Sequence, residues 1–156
     1  MRLIIAAVGR MKAGPERVLF EDYAARIRRA GSGPGLGPLD LQEIDERKFR
    51  GPDTQSSALL DRVPASAVRV VLDERGQTVG SPDLARRLRS WADEGRGAVV
   101  FLIGGADGHD QHIRDQADLI LSFGPMVWPH MLARVMLAEQ IYRACTILAG
   151  TPYHRT

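Results

Sequence analysis

Five short apolar runs punctuate the chain: LIIAAV (3–8), LDLQEI (39–44), VRVVLD (68–73), AVVFLIGG (98–105) and LILSF (119–123). Between and after them lie stretches whose apolar positions recur with helical spacing, at about 15–30, 53–62, 82–94, 109–117 and 130–149. Several runs lack polar alternation, as strands covered on both faces do, so the pattern predicts an α/β fold: a mostly parallel sheet with helices on both faces. GSPDLARRL marks one helix start, with Ser81 as N-cap, Pro82 at the first helical position and Asp83 near the positive dipole end. The Gly- and Pro-rich AGSGPGLGP (30–38) reads as a surface loop joining helix to strand. A chain of 156 residues with these elements predicts one domain over 1–156.

The last helical stretch, HMLARVMLAEQIYRACTILAG, is apolar nearly all round. At about 100° per residue, Leu137, Ile141, Cys145 and Leu148 share one side, while Leu132 and Met136 lie opposite, with Glu139 and Arg143. Such a helix needs cover on two faces, from its own sheet and from a second copy of the chain. Glu139 and Arg143 stand at i and i+4 in the favourable order for an ion pair. Cys145, the single cysteine, falls inside this helix, so a disulfide framework or thiolate metal site cannot be built and an inert buried thiol is expected.

Composition narrows the function classes only mildly. No stretch reaches the roughly 18 apolar residues of a membrane span, and MRLIIAAVGR does not read as a secretory signal, so a cytoplasmic protein without membrane attachment is expected. The formal charge of +2 permits an anionic partner. Arginines cluster at Arg26, Arg28 and Arg29 and at Arg86, Arg87 and Arg89, either as solvated helix faces or as contacts to a nucleic-acid backbone.

Ligands of open parallel sheets bind outside the carboxyl ends of the strands, which directs attention to three places. Leu72-Asp73-Glu74-Arg75-Gly76 follows the third run, Gly104-Gly105-Ala106-Asp107-Gly108 the fourth, and the stretch from Ser122 through Gly124-Pro125-Met126-Val127-Trp128-Pro129 to His130 the fifth. GGADG is neither a dinucleotide fingerprint nor a P-loop; it is a tight turn or a close approach of backbone to ligand. His109 and His112 stand three apart beside carboxylates but have no third ligand at metal spacing, so no metal is expected. In GPMVWPH two prolines stiffen a loop that either walls a flat ligand with its free main-chain groups or buries Trp128 as core. The sequence closes on TPYHRT, where Tyr153, His154 and Arg155 stand side by side.

VVLDERG, FLIGGADG, PMVWPHMLARVMLAEQIYRA and GTPYHR, in this order and joined by VGRMK and EDYAARI near the start, together resemble the small SPOUT-class methyltransferases that methylate N3 of a pseudouridine in bacterial 23S ribosomal RNA. The resemblance implies a C-terminal trefoil knot, a homodimer, S-adenosyl-L-methionine as cofactor and 23S rRNA in the ribosome as partner. It also implies that Leu72, Gly104, Gly105 and Gly124, Pro125, Met126, Val127, Trp128 and Pro129 bind the cofactor. Val127 and Trp128 depart from the family's pattern, which usually places a threonine there, and Met131 stands where a glutamine is common. Tyr153, His154, Arg155, Arg143 and Glu139 become the catalytic candidates, since N3 carries a proton that must leave and the resulting anion needs stabilisation. Two alternatives stand beside this reading: a noncatalytic dimeric RNA-binding module, and a methyltransferase of the same class acting on tRNA.

Overall fold

Side chains alternate across β1 (Arg2–Val8), sending Leu3, Ile5 and Ala7 to one face and Ile4, Ala6 and Val8 to the other, and all six are buried. Apolar groups on both sides of one strand require cover on both sides. The computed structural model, which describes residues 1–155, supplies it. Five strands form one sheet in the order β2-β1-β4-β3-β5, with β2 (Leu39–Ile44), β3 (Val68–Thr78), β4 (Ala98–Ile103) and β5 (Leu119–Ser122), and every neighbouring pair is parallel. On one face lie α1 (Pro15–Ala30), α3 (Ser81–Asp93) and α5 (His130–Ala149); on the other, α2 (Pro52–Leu60) and the short α4 (Gln111–Asp115). The expected α/β architecture is therefore present.

α5 packs against both α1 and α3 and buries Val135, Leu137, Ala138, Ile141, Ala144 and Cys145. Burial pushes the Cys145 thiol up to about 11, in keeping with the inert role expected of it. Leu132, on the opposite side, remains 38% exposed. The helix stops at Gly150, whose φ of 70° gives the left-handed turn that ends the helix.

Two local expectations need correction. Ser81 is the first helical residue rather than the cap: Gly80 takes the capping position, and the Ser81 hydroxyl donates to Gln140 Oε1 of α5 at 2.6 Å, tying the two helices together. The third strand does not end at Asp73. It pairs with β5 at Leu72↔Leu121, leaves the ladder over residues 73–76, and resumes at Gln77↔Leu121 and Thr78↔Ser122. Gly76 makes this excursion possible, because a Cβ there would stand 2.5 Å from the Ile120 carbonyl oxygen. The Gly/Pro loop at 30–38 buries Leu36, so it packs as well as connects. No helix of the described residues is long and apolar enough to cross a membrane.

Candidate active site

The carboxyl ends of β3, β4 and β5 open into a cleft of about 490 Å³. Its walls come from the three loops singled out in the sequence: Leu72 to Arg75, Gly105 to His109, and Gly124 with Met126, Val127 and Trp128. A cleft of this volume falls in the usual small-molecule range of about 300–1,000 Å³. Each wall has a chemical reason for its shape. A Cβ on Gly104 would meet the Gly108 backbone at 2.9 Å, so the strand-to-helix turn closes tightly only over glycine. Gly108 completes that turn with φ of 74° and an amide bond to the Gly105 carbonyl at 3.0 Å.

The loop after β5 is not core. Met126 is 72% and Val127 89% exposed, and Trp128 borders the cleft. Gly124, with φ of 100°, turns the chain out of the strand while its amide donates to Ser122 Oγ at 3.0 Å. Among the described residues, the amides of Met126, Val127 and Trp128 have no protein hydrogen-bond partner. Main-chain donors left open beside a cleft are available to a ligand. Of the proposed cofactor residues, Leu72, Gly105, Gly124, Met126, Val127 and Trp128 line the cleft. Gly104 supports the turn from beneath, and Pro125 and Pro129 frame the loop, Pro129 as the N-cap of α5.

Two ion pairs that the sequence reading missed hold these walls. Asp73 Oδ2 accepts from Arg114 Nη1 at 3.2 Å, and the same Nη1 donates to the His109 carbonyl at 2.7 Å, joining the β3 excursion to the turn after β4. Arg134, with no solvent exposure, donates to Glu43 Oε2 at 2.8 Å and to the carbonyls of Val8 and Gly9 at 2.6 and 2.9 Å. Burial lowers its pKa, and the Glu43 charge works the other way. Thus the start of α5, and with it the loop 124–129, is fixed to the carboxyl ends of β1 and β2.

The two histidines of DGHDQH serve the fold. His109 is buried with Nε2 3.1 Å from the Leu102 carbonyl oxygen, and desolvation lowers its pKa. Asp110 caps α4 by accepting from the Ile113 amide at 3.0 Å, and His112 lies 2.8 Å from Gln116. Among the described residues no group of three or more potential metal ligands gathers.

The tail folds back onto α5. Tyr153 donates to Glu139 Oε1 at 3.0 Å and stacks edge-on against Tyr142 at 4.6 Å, while Arg143 lies over the Tyr153 ring at 4.8 Å. Burial first, then Tyr23 and Glu139, raise the Tyr153 phenol well above its ordinary value. Arg143 also binds Glu139 in the i,i+4 ion pair and reaches His154 Nδ1 at 3.4 Å; Arg155 is exposed, and Thr156 lies outside the described residues. Among the described residues, none of the tail lines the cleft. Glu139 borders a second, more apolar cavity of about 640 Å³, and Leu121, Phe123 and Gly124 line both cavities, so a single wall separates them.

The chain thus presents a parallel α/β sheet with a main-chain-walled cleft at its carboxyl edge and a long apolar helix leaving that cleft. It belongs to the SPOUT methyltransferase family: the family model described as "Predicted SPOUT methyltransferase" matches residues 1–154. Among curated proteins it is 56% identical over 155 residues to the ribosomal RNA large subunit methyltransferase H of Dinoroseobacter shibae. It is 55% identical to the protein of that name from Paracoccus denitrificans and 54% to that from Roseobacter denitrificans, with 99% of each chain covered in all three comparisons. The chain is a methyltransferase.

Proposed function

We propose that this protein transfers a methyl group from S-adenosyl-L-methionine to N3 of a pseudouridine in the 23S rRNA of the large ribosomal subunit, acting as a homodimer in the cytoplasm. The observation that carries the reading is the row of unpartnered amides at Met126, Val127 and Trp128, set across the cleft from Gly105 and Leu72 in a chain whose relatives are ribosomal RNA methyltransferases.

The residues present fit this cofactor. Main-chain donors suit the edge of an adenine, the Leu72, Met126 and Trp128 side chains offer apolar walls, and Gly105 lets the turn sit close on the sheet, since a Cβ there would press on Val8 Cγ1 at 3.1 Å and Gln55 Oε1 at 3.2 Å. S-adenosyl-L-methionine supplies an electrophilic methyl group, so the protein's task is chiefly to position the acceptor. Val127 brings no hydroxyl to the loop, and its amide is the group it contributes.

The tail residues are assigned to the nucleobase. Tyr153, held protonated, orients Glu139, and its ring offers a stacking face. An arginine has only donors, so the Arg143 contact makes His154 Nδ1 the acceptor and leaves the proton on Nε2. His154 is then set to donate toward a base oxygen and stabilise the charge that develops when N3 loses its proton, with Arg155 as a second cation. In the homodimer the tail of one protomer serves the cleft of the other. Support comes from the apolar face that α1 and α5 leave open: Val18 is 68%, Leu19 44% and Leu132 38% exposed beside the larger cavity. The knotted C-terminal chain path implied by the family is consistent with β5 pairing at the far side of β3.

Nucleoside mass spectrometry of 23S rRNA and tRNA from a strain lacking the gene tests the substrate. Loss of methylpseudouridine from 23S rRNA alone is expected. Its persistence, with a methylated nucleoside missing from tRNA, would transfer the activity to tRNA, and no change in either RNA would overturn both substrates.

A further inference from the structure

The arginine clusters that the sequence offers as nucleic-acid contacts are largely spoken for. On α1, Arg26 is paired with Asp22 at 2.9 Å and Arg17 with Glu21 at 2.9 Å. On α3, Arg86 is paired with Asp83, Arg89 with Asp93 at 3.6 Å, and Arg87 reaches Gln77 at 3.5 Å. Arg28 and Arg29 are exposed, but they occupy the last turn of α1, whose negative dipole end favours them. That end lies at the amino edge of the sheet: α1 returns from the end of β1 to the start of β2, and the Gly37 amide bonds the Met1 carbonyl at 2.9 Å. It is the edge remote from the cleft.

A different set of cations lies on the cleft's own edge. Arg10 and Lys12 follow β1, and Lys48 and Arg50 follow β2; all four are exposed, and among the described residues none is in an ion pair. The two strands are neighbours in register at Val8↔Ile44, and the Gly9 amide bonds the Ile44 carbonyl at 2.9 Å, so the two loops leave the sheet side by side. Of the carboxylates around them, Glu43 and Asp45 are paired, while Glu46 is exposed. Glu43 holds Arg134, Asp45 holds Arg47 at 3.5 Å, and Glu46 lies over Gly9 near Arg134. Glu16 and Asp53 stand in the first turns of α1 and α2, where the helix ends favour them. His130, at the cleft's border, also lies over Gly9, so the two loops adjoin the cleft.

We propose that Arg10, Lys12, Lys48 and Arg50 form the surface that grips the phosphate backbone of the substrate RNA, while its target base enters the cleft alongside; the proposal rests on ribosomal RNA being the substrate. Four unpaired cations on one edge complement a polyanion, and phosphate contacts of this kind set position and orientation.

The test uses the full-length protein and purified ribosomes from a strain lacking the gene, with binding measured across a salt series. The quadruple variant Arg10→Gln, Lys12→Gln, Lys48→Gln, Arg50→Gln is compared with Arg28→Gln, Arg29→Gln. Each lost phosphate contact lowers the log–log salt slope by about 0.7–0.9, so the quadruple variant is expected to lose about 3 units of slope. Ribosome affinity should fall at least tenfold at moderate salt, with calorimetric binding of S-adenosyl-L-methionine unchanged, and the α1 variant should behave as wild type. An unchanged slope and affinity in the quadruple variant would overturn the assignment of this surface. Wild-type protein that binds no ribosomes would instead overturn the substrate reading, and the surface with it.

Discussion

Arg134 and Val8 stand 126 residues apart, yet the guanidinium of one donates to the carbonyl of the other at 2.6 Å, with both residues fully buried. This contact joins the first strand to the last helix at the point where the ligand loop enters it. Removing the cation leaves the Val8 and Gly9 carbonyls without the guanidinium donor and Glu43 with only the Met11 amide. Arg134→Ala should therefore cost about 3–5 kcal/mol of stability, as breaking buried pairs does. Urea midpoints of the two proteins check it, and a shift within error of zero would show that the contact is dispensable.

The turn under the cleft is sensitive to a single methyl group. Gly104→Ala places a Cβ 2.9 Å from the backbone of Gly108, which cannot swing aside as a side chain would. Affinity for S-adenosyl-L-methionine should fall about tenfold, or about 1.4 kcal/mol. Titration calorimetry reads this directly, and unaltered affinity would remove the turn from the cofactor site.

How much of this was legible beforehand depended on range in the sequence. The strands and helices announce themselves through local apolar runs, and so did the three loops, because strand ends are where such sheets bind. β3 beyond Asp73 was invisible, since ERGQT carries no apolar residue and is held in the sheet by Ile120 and Leu121 of a later strand. Ser81 looked like a cap because its partner, Gln140, is 59 residues away. Arg134 left one local trace: it shares a stripe with Ala138, Ile141 and Cys145, and an arginine there must find buried partners. Which partners these are, only the tertiary fold decides.

Acid should loosen the cleft through His109. Its pKa is lowered in the folded chain by burial, so the unfolded chain takes up a proton first as pH falls. The histidine's contribution is thus whole above the unfolded value near 6.5 and is lost as pH drops through the folded one. Thermal melts between pH 7.5 and about 5 should show falling stability, with a shallower fall in His109→Gln. Parallel curves for the two proteins would assign the acid sensitivity elsewhere.

The Cys145 thiol, pushed up to about 11 and buried, should resist alkylation. At pH 8 iodoacetamide is expected to label it only as fast as the protein unfolds, and rapid labelling of the native protein by intact-mass analysis would contradict the packing of α5.

The central claim is that a cleft of main-chain donors holds the methyl carrier while the C-terminal hook presents the nucleobase. Its most direct test is transfer of a labelled methyl group to ribosomes by protein lacking residues 151–156, measured alongside cofactor affinity. The account predicts affinity within about twofold of wild type and no transfer. Transfer at the wild-type rate by the truncated protein would contradict it.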